Sequence, residues 1–258
     1  MDLGLNGRRA LVTAASKGIG RACAETLAAE GASVFIASRD AAAIERVARQ
    51  IGAAGHRAAD VADAGAVATL VQAAVATLGG LDILIVNAGG PPFGTFADAT
   101  PQRWEAAFQL TFMSAANLIR ESLPELRRSD QARIVNITST TVREPNPTLI
   151  LSNALRAAVT GMAKTLAGEL AVHGITVNNL APGRVLTDRI RENYSDAANE
   201  TGIPLDEQLR RTAAQVPMQR FGTPEELGAA CAFLCSKQAA YITGQTLAVD
   251  GNLTRGVY

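Results

Sequence analysis

Eight residues near the start carry the first chemical signal. Thr13-Ala14-Ala15-Ser16-Lys17-Gly18-Ile19-Gly20 joins an apolar run to an amphipathic one. Glycines at such a junction allow a tight turn and close backbone approach, and the helix that follows offers unpaired N–H groups to a pyrophosphate. A glycine pair alone is weak evidence; its place between the first strand and the first helix strengthens it. The second signal is charge. An acidic residue at the end of the second strand would hold the ribose hydroxyls of NAD. That end reads Ala37-Ser38-Arg39, with Lys17 in the glycine turn. Two cations and a hydroxyl suit a 2′-phosphate, since charge-assisted bonds from arginine are strong. The pattern predicts NADP(H) over NAD(H).

Other chemistries find less support. Cys231 and Cys235 lie four apart on an expected helix, but a metal site would need further ligands, and His56 and His173 are isolated. The cysteines, with Cys23, read as buried small hydrophobes, and no metal is expected. Three cysteines cannot build a disulfide framework and suit a reducing compartment.

Short aliphatic runs alternate with amphipathic stretches along the chain. Strands are expected at 9–14, 33–38, 56–61, 81–88, 133–139, 175–181 and 245–251, and helices at about 18–30, 41–52, 63–79, 101–127, 149–173 and 223–236. Asp40 and Asp63 are placed as N-caps, while Thr100-Pro101 and Thr223-Pro224 put proline at the first helical position. This alternation predicts an α/β fold: one Rossmann-type, doubly wound parallel sheet of about seven strands with helices on both faces. Residues 1–258 are expected to form one domain. Its irregular part is the polar stretch 183–222, whose residues from about 184 onward, carrying Arg184, Arg189, Arg191, Arg210 and Arg211, are expected to form a substrate flap.

Composition narrows the function. The 258 residues are 48% hydrophobic and 19% charged, with 24 cations against 24 anions. That excludes an intrinsically disordered chain, and the lack of basic excess argues against nucleic-acid binding. Aromatic residues at 4% leave little for base stacking. No apolar run reaches the roughly 18 residues that span a bilayer. The opening MDLGLNGRRALVTAAS reads as a strand and not as a signal peptide, so a cytoplasmic protein is expected.

The motifs in register resemble the short-chain dehydrogenase/reductase family, close in pattern to 3-oxoacyl-[acyl-carrier-protein] reductases, over residues 5–251. That family's glycine motif is T-G-x-x-x-G-x-G, and here Ala14 replaces the first glycine. An alanine costs about 1 kcal/mol if that position needs positive φ, and almost nothing otherwise. The resemblance implies that Asp60-Val61 touches adenine, that Asn87-Ala88-Gly89 lies beside the cofactor, and that Pro182-Gly183 with Thr187 meets the nicotinamide carboxamide. A helix cap at Asp60 and an ordinary turn at Pro182-Gly183 are the plainer readings. By the family's register Asp40 comes one residue late, which leaves it a cap.

The resemblance breaks at the catalytic set of Asn, Ser, Tyr and Lys. Ser139 matches the serine. Thirteen residues on, Ser152 stands where the tyrosine of Y-x-x-x-K is expected, and Arg156 replaces the lysine. Gly161-Met162-Ala163-Lys164-Thr165-Leu166-Ala167 secures that register, and Thr111 stands for the asparagine. In the family, tyrosine protonates the carbonyl oxygen while lysine lowers its pKa and holds ribose. A serine hydroxyl is a far weaker acid, and arginine stays protonated, so it can bind but not relay a proton. A positioned general acid contributes about 10²–10⁴ in rate. Substitute groups are sought among Ser139, Ser152, Arg156, Arg143, Glu144 and Tyr194. Arg143, Arg156 and Arg184 could line a pocket for an anionic substrate, and Gly90-Pro91-Pro92-Phe93 could wall it.

Three readings stand at this point. The first is an NADP(H)-dependent oxidoreductase acting on a small carbonyl (3-oxoacyl-like or another ketone) or its alcohol, with an atypical active site. The second is a non-redox NADP(H)-binding scaffold or sensor. The third is a lyase or isomerase in the same cleft. The resemblance also implies a homo-oligomer, most commonly a tetramer, and the segment 149–173 is apolar on more than one face, as burial on core and partner sides requires. Light scattering should give a tetramer mass; a monomer mass would contradict that expectation.

Overall fold

The computed structural model describes residues 2–257. Seven parallel strands make one sheet in the order β3-β2-β1-β4-β5-β6-β7. They are β1 (Arg9–Val12), β2 (Ser33–Ser38), β3 (Gly55–Ala58), β4 (Ile83–Val86), β5 (Arg133–Ile137), β6 (Thr176–Pro182) and β7 (Thr246–Val249). The helices are α1 (Gly18–Ala29), α2 (Ala41–Ile51), α3 (Ala64–Leu78), α4 (Pro101–Phe108), α5 (Ser114–Leu126), α6 (Ile150–Leu170), α7 (Asp188–Thr201), α8 (Leu205–Ala213) and α9 (Pro224–Cys235). No helix among the described residues is long and apolar enough to cross a membrane.

Successive strand residues point to opposite faces, and both faces are covered. Ala10, Val12, Ile83, Ile85, Val135 and Leu180 pack against α1, α2 and α9, while Leu11, Leu84, Val86, Ile134 and Val177 pack against α3, α5 and α6. Burial on both sides explains why the central strands read as continuous apolar runs. The cysteines fall in the first of these cores as free thiols. The neighbouring Cys231 and then burial hold the Cys23 thiol well above its ordinary range. This is the Rossmann-type, doubly wound arrangement expected, and its one reversal of strand order lies between β1 and β4.

The caps hold as read. Asp40 accepts the Ala43 N–H and Asp63 the Ala66 N–H, and Thr223 with Glu226 forms a reciprocal capping box ahead of Pro224. Strand ends are shorter than the sequence suggested, because the last residues of β1, β4 and β5 leave the ladder to form the site. The expected helix 101–127 is two helices joined by a π-helical turn, Gln109–Met113. The largest difference is in 183–222, which is not irregular: it contains α7 and α8. Their apolar stripe is too thin to see in sequence, with Thr212 the buried residue of α8. Local pairs support that helix instead, since Glu207 holds both Arg210 and Arg211.

Ala14 has φ +49°, left-handed backbone, so the position does need what glycine supplies. Ala14→Gly is expected to stabilise the protein by about 1 kcal/mol, raising Tm by about 2–4 °C in a thermal melt. An unchanged or lower Tm would show that this alanine carries no strain.

Candidate active site

The cleft of about 770 Å³ lies at the carboxyl ends of the strands, where β1 and β4 part. It forms there because the two strands lead to helices on opposite faces. Thr13 follows β1 and holds the two lips together. Its hydroxyl donates to the Asn87 carbonyl at 2.7 Å and accepts the Asn87 N–H at 3.0 Å. The Asn87 amide in turn donates to the Ala14 carbonyl at 3.3 Å. Gly20 must be bare, since a Cβ there would stand 2.4 Å from that carbonyl and 2.6 Å from Asn87 Nδ2.

Of the sequence-expected binding residues, Ser16, Lys17, Gly18, Ile19, Ser38, Arg39, Asp60, Val61, Asn87, Ala88, Gly89, Pro182, Gly183 and Thr187 all line the cleft. Thr13 and Gly20 stand behind the lining and shape it. The N-terminus of α1 opens onto the cleft and carries no side-chain cap, so its first N–H groups are left for a ligand. Gly18, at φ +60°, keeps that approach clear. Arg39 is exposed at the far end, with no ion-pair partner among the described residues. These features fit a phosphate-bearing dinucleotide. Two residues do more than expected: Asp60 accepts the Ala62 N–H at 3.0 Å, closing a turn, and Thr187 caps α7 by accepting the Ile190 N–H. Lys17 is engaged with Glu192 of α7 at 3.3 Å.

At the other end stand Ser139, Ser152 and Arg156. Ser139 Oγ accepts the Thr141 N–H at 3.2 Å, which leaves its own proton free to donate. Ser152 and Arg156 share one face of α6, and Arg156 Nε donates to Ser152 Oγ at 3.2 Å. Arg156 Nη1 donates to the Ile137 carbonyl at 2.7 Å, at the end of β5. No hydrogen bond within the described residues takes Nη2, and that atom is not sealed in the interior, so it opens to the cleft. Burial, and then Arg189, push the Arg156 pKa down to about 10. The guanidinium is still charged at neutral pH.

The other candidates separate from this group. Thr111 lies in the π-helical turn, buried, outside the cleft lining, with its hydroxyl unpartnered among the described residues. Arg143 donates to the Thr246 carbonyl, and Glu144 accepts the Arg255 and Gly256 N–H groups. The Tyr194 hydroxyl is held by Thr212 at 3.0 Å and Arg184 at 3.4 Å, away from the cleft. Arg184 donates to Gln215 and Tyr194 from its two Nη atoms, away from the cleft, while its Nε is buried without a partner among the described residues. Gly90, Pro91 and Phe93 do wall the cleft. Arg189, expected only as one of the flap arginines, reaches the cleft: its Nη2 donates to the Pro91 carbonyl at 3.0 Å across the mouth.

The chain is similar to known proteins along nearly its whole length. The profile of the enoyl-(acyl carrier protein) reductase family matches residues 13–254. The 3-oxoacyl-[acyl-carrier-protein] reductase FabG of Vibrio cholerae is 35% identical over 252 residues, 97% of this chain and 99% of that protein. The L-sorbose reductase of Gluconobacter frateurii, solved with NADPH and L-sorbose, is 32% identical with a TM-score of 0.96, and both chains are covered in full. A short-chain oxidoreductase of Pseudomonas aeruginosa PAO1, solved with NADPH and described as containing an atypical catalytic center, is 34% identical with a TM-score of 0.87, over 96% of this chain and 97% of that one.

The geometry makes Tyr194 a structural residue. Tyr194→Phe is expected to lower the unfolding free energy by about 1 kcal/mol in a denaturant titration and to leave turnover intact. A loss of about a hundredfold in turnover would return it to the catalytic set.

Proposed function

The chain belongs to the short-chain dehydrogenase/reductase family and is an oxidoreductase of that type; from this premise we propose how its altered site interconverts a small carbonyl compound and its alcohol. NADP(H) is the cofactor, and when bound it supplies the hydride or takes it up in reverse. The chain's own part is to hold that cofactor, orient the carbonyl and stabilise charge on its oxygen.

The 2′-phosphate falls to Ser38 and Arg39, the open N-terminus of α1 takes the pyrophosphate, and Asn87 to Gly89 with Pro182, Gly183 and Thr187 line the nicotinamide end. Asp60 and Val61 flank the adenine. Residues 1–258 act as one domain, in which α7 and α8, within the segment of about 184–222, serve as the substrate flap. In a homotetramer, exposed apolar side chains such as Phe108, Phe233 and Leu247 would be covered.

One observation carries the catalytic assignment: a charged Arg156 Nη2 facing the cleft, braced by Ser152 and the end of β5. A fixed positive donor aimed at a developing oxyanion acts strongly in a site of low dielectric. The Ser139 hydroxyl supplies the second hydrogen bond to that oxygen. Ser152 positions Arg156. As the carbonyl carbon gains hydride, its oxygen becomes an alkoxide held by Ser139 and Arg156, and water from the open cleft delivers the proton that completes the alcohol. Loss of the tyrosine thus slows the reaction without changing its class. Thr111 takes no direct part. The non-redox and lyase readings draw on the missing tyrosine alone, and an atypical catalytic centre in a family oxidoreductase weakens that argument.

A paired titration following nicotinamide fluorescence should show binding that prefers NADPH to NADH, with Arg39→Ala weakening NADPH by about 10–100-fold and leaving NADH unaffected. In steady-state assays, Arg156→Met should lower kcat by about 10²–10³-fold while NADPH still binds. Wild-type turnover in that variant would remove Arg156 from the mechanism, and failure to bind either nucleotide would turn the reading toward a non-redox protein.

A further inference from the structure

Eight of the arginines form ion pairs among the described residues. Arg8, Arg9, Arg21, Arg49, Arg128, Arg210, Arg211 and Arg220 each hold an aspartate or glutamate. Arg156 and Arg189 do not, although both are drawn out of bulk water. Arg156 bonds only to a hydroxyl and a main-chain carbonyl, and Arg189 only to a main-chain carbonyl. A buried arginine can be satisfied that way: Arg133 uses Nε, Nη1 and Nη2 on the carbonyls of Ser236 and Ala132. Arg189 differs, because its Nε and Nη1 have no partner among the described residues and neither atom is sealed. The residue lines the cleft, so these donors are open to a ligand.

The position of Arg189 is built. A Cβ on Gly90 would stand 2.5 Å from its Nη1, so the bare glycine lets the guanidinium lie on the Gly90-Pro91 backbone. That backbone is fastened to the start of α6, where Gly94 accepts the Ile150 N–H at 3.4 Å and donates to the Thr148 carbonyl at 2.8 Å. The chain of contacts thus carries Arg189 to the same end of the cleft as Ser152 and Arg156. The two cations feel each other, since Arg189 contributes to the lowering at Arg156, after burial. Neither arginine has an ion pair: Glu192 offsets part of the charge of Arg189 but pairs with Lys17, and Asp188 is exposed and makes no bond to either arginine. Pro91, Phe93, Leu110 and Leu149 supply an apolar wall to the same cleft. Like charges placed together with no ion pair to either favour an anionic ligand.

We infer that the substrate is an oxo acid, its carbonyl oxygen at Arg156 and Ser139 and its carboxylate held by Arg189. This rests on the oxidoreductase reading and adds the substrate's charge to it. Guanidinium and carboxylate match as a bidentate pair, so Arg189 sets specificity by charge and by shape. A short apolar linker between the two groups would lie on the wall formed by Pro91 and Phe93.

The full chain with NADPH is assayed on straight-chain 3-oxo and 4-oxo acids and on their methyl esters. The acids should be preferred in kcat/KM. Arg189→Met should raise KM for the acids by about 10–100-fold, leave the esters unchanged and leave NADPH binding unchanged, while Arg189→Lys recovers part of the loss. Equal use of acids and esters by the wild type would overturn the inference. So would an Arg189→Met variant that loses NADPH affinity, because the anion at Arg189 would then be the cofactor's diphosphate. Calorimetric titration of the same acids and esters into the NADPH complex reads the site without turnover. Acid-selective binding that depends on Arg189, with no turnover, would keep this inference and sink the catalytic one; no acid selectivity in binding would sink this one.

Discussion

Two hydrogen bonds between Thr13 and Asn87 fasten the point on which the cleft depends. In a parallel sheet all the strand ends that lead to helices lie on one edge, and only where the strand order reverses do neighbouring connections diverge. Here that place is β1 against β4. Left alone, the parting would expose main-chain groups of both strands. Thr13 caps them reciprocally, and Asn87 carries the link on to the carbonyl of Ala14. At the opposite edge Asp82 locks the same two strands. It accepts the Arg9 N–H and guanidinium and the Ser129 hydroxyl. Burial opposes its ionisation, but the hydrogen bonds from Arg9 and Ser129 outweigh it and hold the carboxyl below the usual range. The β1–β4 pair is therefore fixed at both ends, and the cleft opens from a rigid base.

Above that base the cleft is roofed by charge. α7 is tied to the glycine turn by Glu192 and Lys17 and to the loop after β4 by Arg189 and Pro91. The Lys17–Glu192 tie is exposed enough to be weak, and each tie involves a cation that a phosphate or carboxylate could compete for.

The catalytic positions are altered together and remain mutually consistent. Exchanging tyrosine and lysine for serine and arginine removes the acid but not the positive charge, and the shorter serine becomes a brace for the longer arginine. Proton transfer and charge stabilisation are separable contributions to the barrier. In the mechanism proposed above, the site keeps the second and leaves the first to water.

Local patterns were enough to read the frame. Apolar runs placed all seven strands, and the caps at Asp40, Asp63, Thr100 and Thr223 follow from short-range bonds to residues three positions on. The glycine turn and the substitutions at Ser152 and Arg156 were legible for the same reason: spacing within one helix or one turn determines who is adjacent. Tertiary structure decided everything that joins distant segments. It formed α7 and α8 where the sequence showed only polarity, gave Lys17 to Glu192, and withdrew Tyr194 and Glu144 from the site. It also brought Arg189 to Pro91, 98 residues away in the chain. Spacing cannot encode such a contact, because it exists only once the sheet has ordered the loops that carry both partners.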